Sequence, residues 1–190
     1  IELSFDYTFD KALRGSLNLY RYQTTDMIET VTDLDGVGIA QNTKNLTGQG
    51  IELETHWQPS SKFRVSANFA RQSTKNDIHH QQVEYVPQQQ LYVDARWQVF
   101  PNWHLATQIN WIINRDRAPE DLRAPIDDYT RVNVSLRRTG IGWGNNKQWE
   151  LSATVKNLFD EDIYEPTDGK IPYDYRMHGR RIYAEVSYRF

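Results

Sequence analysis

Ile182, Ala184, Val186, Tyr188 and Phe190 are apolar at every second position, and Tyr183, Glu185, Ser187 and Arg189 stand between them. Side chains of a β-strand alternate between two faces, so a segment of this kind has one wet face and one face that must meet an apolar phase. The pattern recurs along most of the chain. Ile1, Leu3, Phe5, Tyr7 and Phe9 alternate with Glu2, Ser4, Asp6 and Thr8, and Leu91, Val93, Ala95, Trp97 and Val99 form another copy. Alternation and turn residues together predict nine strands, at 1–9, 15–28, 50–57, 63–71, 89–99, 103–114, 129–138, 148–157 and 180–190. In the second, Leu17 and Leu19 fix one face while Tyr20 and Tyr22 occupy the other, which calls for a bulge or an inward-facing aromatic pair.

The connections alternate in length. Segments 10–14, 58–62, 100–102 and 139–147 are short, whereas 29–49, 72–88, 115–128 and 158–179 are long. In an antiparallel meander successive connections fall at opposite ends, so the short turns share one end and the long loops the other. That asymmetry is the habit of transmembrane β-barrels. Phe9, Trp57, Phe63, Trp97, Phe100, Trp103, Trp143, Trp149 and Phe190 all lie beside the short turns, as an interfacial girdle would. A soluble sandwich core gives no reason for aromatics to collect at one end of every strand.

Composition agrees with a barrel. Hydrophobic residues make up 38% and mean hydropathy is -0.75, far below what ~20-residue apolar helices require. A barrel escapes that requirement because only alternate residues touch lipid. The chain has no cysteine, which removes disulfide scaffolds and thiolate metal sites. A net charge of -3 with bases interspersed among acids argues against a nucleic-acid partner. No signal-like leader opens the chain, and an odd strand number leaves two open edges, so the expectation is a piece of a larger barrel.

Three segments resemble a known family. LTGQGIELETHW (46–57), VKNLFDEDIYEP (155–166) and GRRIYAEVSYRF (179–190) are similar to the C-terminal barrel region of TonB-dependent outer-membrane receptors, as is RAPIDDYTRVNVSL (123–136). The resemblance implies an all-β antiparallel up-and-down meander of about nine strands, part of a 22-stranded transmembrane barrel. Residues 1–190 would be its C-terminal portion, with the plug domain and earlier strands outside them. It further implies a Gram-negative outer-membrane location, active uptake of a scarce nutrient, most commonly a ferric siderophore, and energy from the TonB complex through the absent plug. Val186, Tyr188 and Phe190 resemble the terminal signal read by the barrel-assembly machinery.

Under that resemblance, ligand contacts fall to the long loops. Arg115, Arg117 and Arg123 share one loop and suit anionic chelates, since guanidinium groups bind carboxylate and catecholate oxygens. A solvated loop, or one that meets lipopolysaccharide phosphates, is the competing reading. Tyr173, Tyr175 and Arg176 could stack on a planar ligand or rest on the rim. Trp57, Phe63, Trp97, Trp103, Trp149 and Phe190 are the principal girdle residues. No metal or cofactor is expected. His79 and His80 are strand neighbours that point apart, and the acidic run Asp160, Glu161, Asp162, Glu165, Asp168 lacks the spacing of a calcium loop. His56, His104 and His178 lie on separate elements without an obvious serine partner, so an enzymatic barrel is disfavoured. Two further function classes are a passive porin, which needs a constriction loop and an open lumen, and a soluble β-rich binding module, which folds without detergent.

Overall fold

The alternating segments form one antiparallel sheet. The computed structural model describes residues 1–32, 36–77, 81–118, 121–142, 149–167 and 171–189. Its strands are β1 (Glu2–Thr8), β2 (Leu13–Thr32), β3 (Gly38–Ser60), β4 (Phe63–Asn76), β5 (Gln81–Gln82), β6 (Pro87–Phe100), β7 (Trp103–Arg115), β8 (Tyr129–Ile141), β9 (Trp149–Lys156), β10 (Tyr164–Glu165), β11 (Tyr175–Arg176) and β12 (Arg181–Tyr188). The sheet order is β1-β2-β3-β4-β6-β7-β8-β9-β12, a meander of nine strands, with β5 paired to β4 and β10 to β11. Among the described residues there is no helix.

Register carries the alternation across the whole sheet. Phe5, Leu17, Leu53, Phe69, Leu91 and Trp111 form one row of successive cross-strand partners, and the adjacent row reads Asp6, Ser16, Glu54, Asn68, Tyr92, Asn110 and Arg131. One face is therefore apolar and the other polar. The polar face is stitched laterally: the Asn18 amide donates to Glu2 at 3.0 Å and to Glu52 at 3.3 Å, and Gln108 on β7 donates to Asp94 on β6 at 3.5 Å, while Arg96 pairs with Asp94 along β6 at 2.8 Å. Among the described residues no second layer covers the apolar face. Phe5 is 56% exposed and Val186 62%, while the buried apolar side chains of the described residues are only Ile126 and Ile163, both in loops. An uncovered apolar face of this extent needs a nonaqueous phase against it.

The largest departure from the expected boundaries is at 29–49. That segment is not a long loop: β2 and β3 continue as a protruding hairpin, with Ile28 opposite Asn42 and Val31 opposite Ile39. Such a hairpin is wetted on both faces, so it lacks the alternation by which the other strands are read. The irregularity expected in β2 takes both forms. A bulge lies between Thr24 and Met27, with Asp26 at φ 57. Tyr20 and Tyr22 also stack on the polar face, ring centroids 6.2 Å apart. They reach across β3 to β4, the Tyr22 hydroxyl lying 3.1 Å from Thr74 Oγ1. Gly48 and Gly50 make room for them: a Cβ at Gly50 would lie 2.5 Å from the Tyr20 hydroxyl, and one at Gly48 would overlap the Tyr22 ring. The two glycines of the 46–57 segment are thus the floor beneath two tyrosines.

The aromatic collar sits at the short turns. Trp57 meets Phe63 edge-on at 5.6 Å, Trp149 lies 4.6 Å from Tyr188, and the Arg138 guanidinium stands 5.1 Å over the Trp103 ring. Trp97 and Phe100 are exposed at the same end. Val186 and Tyr188 share the apolar face of β12 opposite Leu151 and Trp149. Trp143 and Phe190 lie outside the described residues.

Candidate functional site

At the opposite end, the β7–β8 connection (116–128) and the β9–β12 connection (157–180) are joined by ion pairs. Arg115, the last residue of β7, is buried, its side chain 2% exposed. It donates to Glu165 at 2.8 Å, to the Tyr164 carbonyl at 3.1 Å and to the Asp127 carbonyl at 2.7 Å, and its guanidinium lies 5.0 Å from the Tyr129 ring centroid. Arg117 grips Asp174 with both terminal nitrogens, at 2.8 and 2.5 Å, while its Nε donates to the Ala124 carbonyl. Arg123 binds Asp121 at 2.5 Å and reaches Asp174 at 3.3 Å and the Thr167 carbonyl at 2.9 Å. The three arginines proposed from sequence are brought together, and Glu165, Asp121 and Asp174 neutralise them. They form a clasp between two loops. A bidentate guanidinium–carboxylate pair fixes distance and orientation at once.

The clasp has a defined pH response. The hydrogen bond from Arg117 holds the Asp174 carboxyl below its ordinary value of 3.8, and Arg123 does the same to Asp121. A carboxyl depressed in the folded state stabilises the fold above its unfolded value and loses that contribution as pH falls through the folded one. The clasp is therefore expected to stay closed from neutral pH down to about 4 and to open only in stronger acid. Hydrogen-exchange protection factors in 121–126 and 173–176 check this; protection lost between about pH 6 and 5 would contradict it.

Above the clasp the surface is open. Tyr173 is 79% exposed, Tyr175 64% and Leu122 97%. Arg176 pairs with Asp162 at 2.5 Å and remains largely exposed. Of the six loop residues singled out from sequence, Arg115, Arg117 and Arg123 are thus held inside the loop structure, whereas Tyr173, Tyr175 and Arg176 present themselves outward.

The NLFD segment is a structural knot. Asn157, at φ 51 and 2% exposed, accepts from the Glu161 amide at 3.0 Å and donates to the Glu161 carbonyl at 2.8 Å. Its own amide donates to Asn133 Oδ1 at 3.0 Å. Asp160 Oδ1 accepts from the Arg180 amide at 2.7 Å, and a Cβ on Gly179 would come 2.9 Å from the same oxygen. This motif ends β9 and aims the chain into β12.

One sequence expectation needs correction. His56 does have a serine partner: its Nδ1 lies 3.0 Å from Ser66 Oγ and its Nε2 2.6 Å from Glu54. Register produces the contact, since Ser66 sits directly opposite His56 on the next strand. Ser66 is flanked by paired strands on both sides, so the surrounding amides are committed to the ladder and form no oxyanion hole. His79, His80 and Asp168 lie outside the described residues.

A feature the sequence did not expose is a group of cations below the clasp: Arg131 on β8, Lys156 on β9 and Arg181 on β12. Lys156 and Arg181 are direct cross-strand partners. Their juxtaposition could be found only by knowing the β9–β12 register.

The family model for TonB dependent receptor-like β-barrels matches residues 1–158. No curated protein sequence matches the chain. Among solved structures, the ferric yersiniabactin uptake receptor FyuA from Yersinia pestis superposes with TM-score 0.79 at 16% identity, covering 100% of this chain and 29% of FyuA. The ferric-catecholate import receptor Fiu from E. coli K12 gives 0.76 at 14% identity, covering 97% and 26%. The copper transporter OprC gives 0.74 at 18%, covering 100% and 30%. The chain thus spans under a third of the length of these structures, and at such identities the likeness is one of fold.

Proposed function

Since this chain belongs to the TonB-dependent receptor β-barrel family, we propose that it forms the C-terminal wall of a Gram-negative outer-membrane receptor that imports a ferric siderophore. The nine-stranded meander would continue into a barrel of 22 strands. The plug, the TonB contact and the earlier strands would belong to the rest of the receptor. The observation that carries this reading is the single-layer sheet itself: a continuous apolar face for lipid, a polar face for the lumen, aromatics at one rim and clasped loops at the other. FyuA and Fiu, named for ferric chelates, support the siderophore assignment. OprC, named for copper, marks the metal as the point to test.

Within that reading, cargo first meets the exposed Tyr173, Tyr175 and Arg176. Arg115, Arg117 and Arg123 hold the loops that carry them. Lipopolysaccharide would pack around the exposed rim. The full-length receptor is expected to bind one class within a panel of ferric siderophores, haem, cobalamin, oligosaccharides and copper, and that class to be a ferric siderophore. Replacing Tyr173 and Tyr175 by alanine should then weaken binding by roughly 10-fold, as the loss of two aromatic contacts implies. Tight binding of copper or a saccharide would replace the cargo assignment, and unchanged affinity in the double variant would remove the tyrosines from the site.

A further inference from the structure

Arg131, Lys156 and Arg181 project from the polar face at the loop ends of β8, β9 and β12, and none has a carboxylate partner among the described residues. Lys156 and Arg181 stand directly opposite each other, an arrangement that destabilises a sheet when both residues carry the same charge. Tyr183 touches both: the Lys156 ammonium is 5.3 Å from its ring centroid, and Arg181 donates to its hydroxyl at 3.3 Å. Arg131 precedes Asn133 by two residues, and Asn133 accepts from the Asn157 amide beside Lys156. That register makes Arg131 a diagonal neighbour of Lys156, with Cβ atoms about 7–8 Å apart. The Arg131 Nε is buried and has no hydrogen-bond partner.

Of the nearby acids, Glu161 turns its carboxylate to the Thr130 amide at 3.4 Å, and three others pair with arginines outside the trio. Asp160 pairs with Arg180, Asp162 with Arg176 and Glu165 with Arg115. Elsewhere on the polar face, Arg96 and Arg137 have Asp94 and Glu150. Arg14 and Arg64 also lack a carboxylate, but they lie toward the short turns. Among the described residues, the trio stands beneath the clasped loops with two opposed cations and a buried guanidinium nitrogen that has no partner; the Nε of Arg115 in the clasp is likewise unpartnered, but both its terminal nitrogens are engaged.

We propose that Arg131, Lys156 and Arg181 form an anion-binding subsite that takes the carboxylate or catecholate oxygens of a negatively charged ferric chelate. An anion among the three relieves the Lys156–Arg181 repulsion and supplies the acceptor that Arg131 lacks, while Tyr183 offers a ring edge and a hydroxyl to the same ligand. This rests on the siderophore-receptor reading and narrows it to anionic cargo. It also places the anion contact one level below the loop arginines, which the loop acids have already neutralised.

The test uses the full-length receptor in lipid bilayers with three probes: ferric citrate, a ferric tris-catecholate and a neutral ferric tris-hydroxamate. The wild type should prefer an anionic probe. Lys156→Glu, which gives Arg181 an internal partner, should weaken that probe by about 10-fold or more while leaving the barrel heat-resistant in electrophoresis. Lys156→Gln combined with Arg181→Gln should act in the same direction without introducing an acid. Binding of an anionic chelate that neither variant alters would overturn the subsite and leave the siderophore reading standing, as would a preference for the neutral hydroxamate. Unchanged chelate affinity with a rise in ion conductance through the variant would overturn it too, by showing that the trio holds an acidic segment inside the lumen. No binding of any ferric chelate by the wild type would remove both readings.

Discussion

Asn157→Ala should destabilise the barrel by about 3 kcal/mol, because it leaves buried polar groups unsatisfied on both sides of the side chain. The Asn157 carboxamide both donates to and accepts from the backbone of Glu161, and the site is nearly inaccessible to water. Alanine cannot replace either bond, and a Cβ-bearing residue without a local polar side chain is also poorly suited to φ 51. The effect should spread beyond the site. Asn157 anchors β9 to Asn133, and Asp160, three residues on, holds the amide that precedes β12. Denaturant unfolding of the full receptor in lipid vesicles measures the loss, and Asn157→Asp, which keeps the acceptor and tolerates the backbone, should recover part of it. A stability within about 0.5 kcal/mol of wild type would show that the knot is dispensable.

Leu53→Arg should cost about 2–4 kcal/mol in a bilayer, whereas Glu52→Gln, one position away, should cost little. Leu53 lies on the apolar row between Leu17 and Phe69, and Glu52 on the polar row between Asn18 and Ala70. Trp57, in the collar, is four residues on, which is about 13 Å along the strand and about 10 Å along the membrane normal at barrel tilt. That places Leu53 near the midplane, where a guanidinium has neither water nor a partner. Comparison of unfolding free energies in vesicles checks the pair; equal tolerance of both substitutions would argue that the Leu53 face is not in lipid.

Period-two patterning made the architecture legible, because each strand of a one-layer sheet separates two solvents and its sequence must record both. Phe63, Val65, Ala67 and Phe69 are read this way without any tertiary information. The protruding hairpin escaped because water wets both its faces, so Val31 and Ile39 pair without an apolar partner row. The candidate site was legible only in part. Arg115, Arg117 and Arg123 are neighbours in sequence, and their convergence follows. Their counter-charges do not: Asp174 is 57 residues from Arg117 and Glu165 is 50 from Arg115. The His56–Ser66 contact and the Lys156–Arg181 opposition span less sequence but are hidden too, since both depend on strand register. The NLFD segment stood out as a motif, yet its use is architectural, with a left-handed asparagine closing a strand.

These 190 residues contain no cysteine, so in a receptor whose remaining residues are cysteine-free or made so, single cysteines at positions 50 to 57 report the environment of each face. Spin labels there, in the full-length receptor in bilayers, would be read for collisions with oxygen, which concentrates in lipid, and with a water-soluble nickel chelate. Labels at 51, 53 and 55 should meet oxygen and those at 52, 54 and 56 the chelate or the packed lumen, with the pattern ending at the interface near 57. Chelate access at all positions, without alternation, would contradict a membrane-spanning sheet.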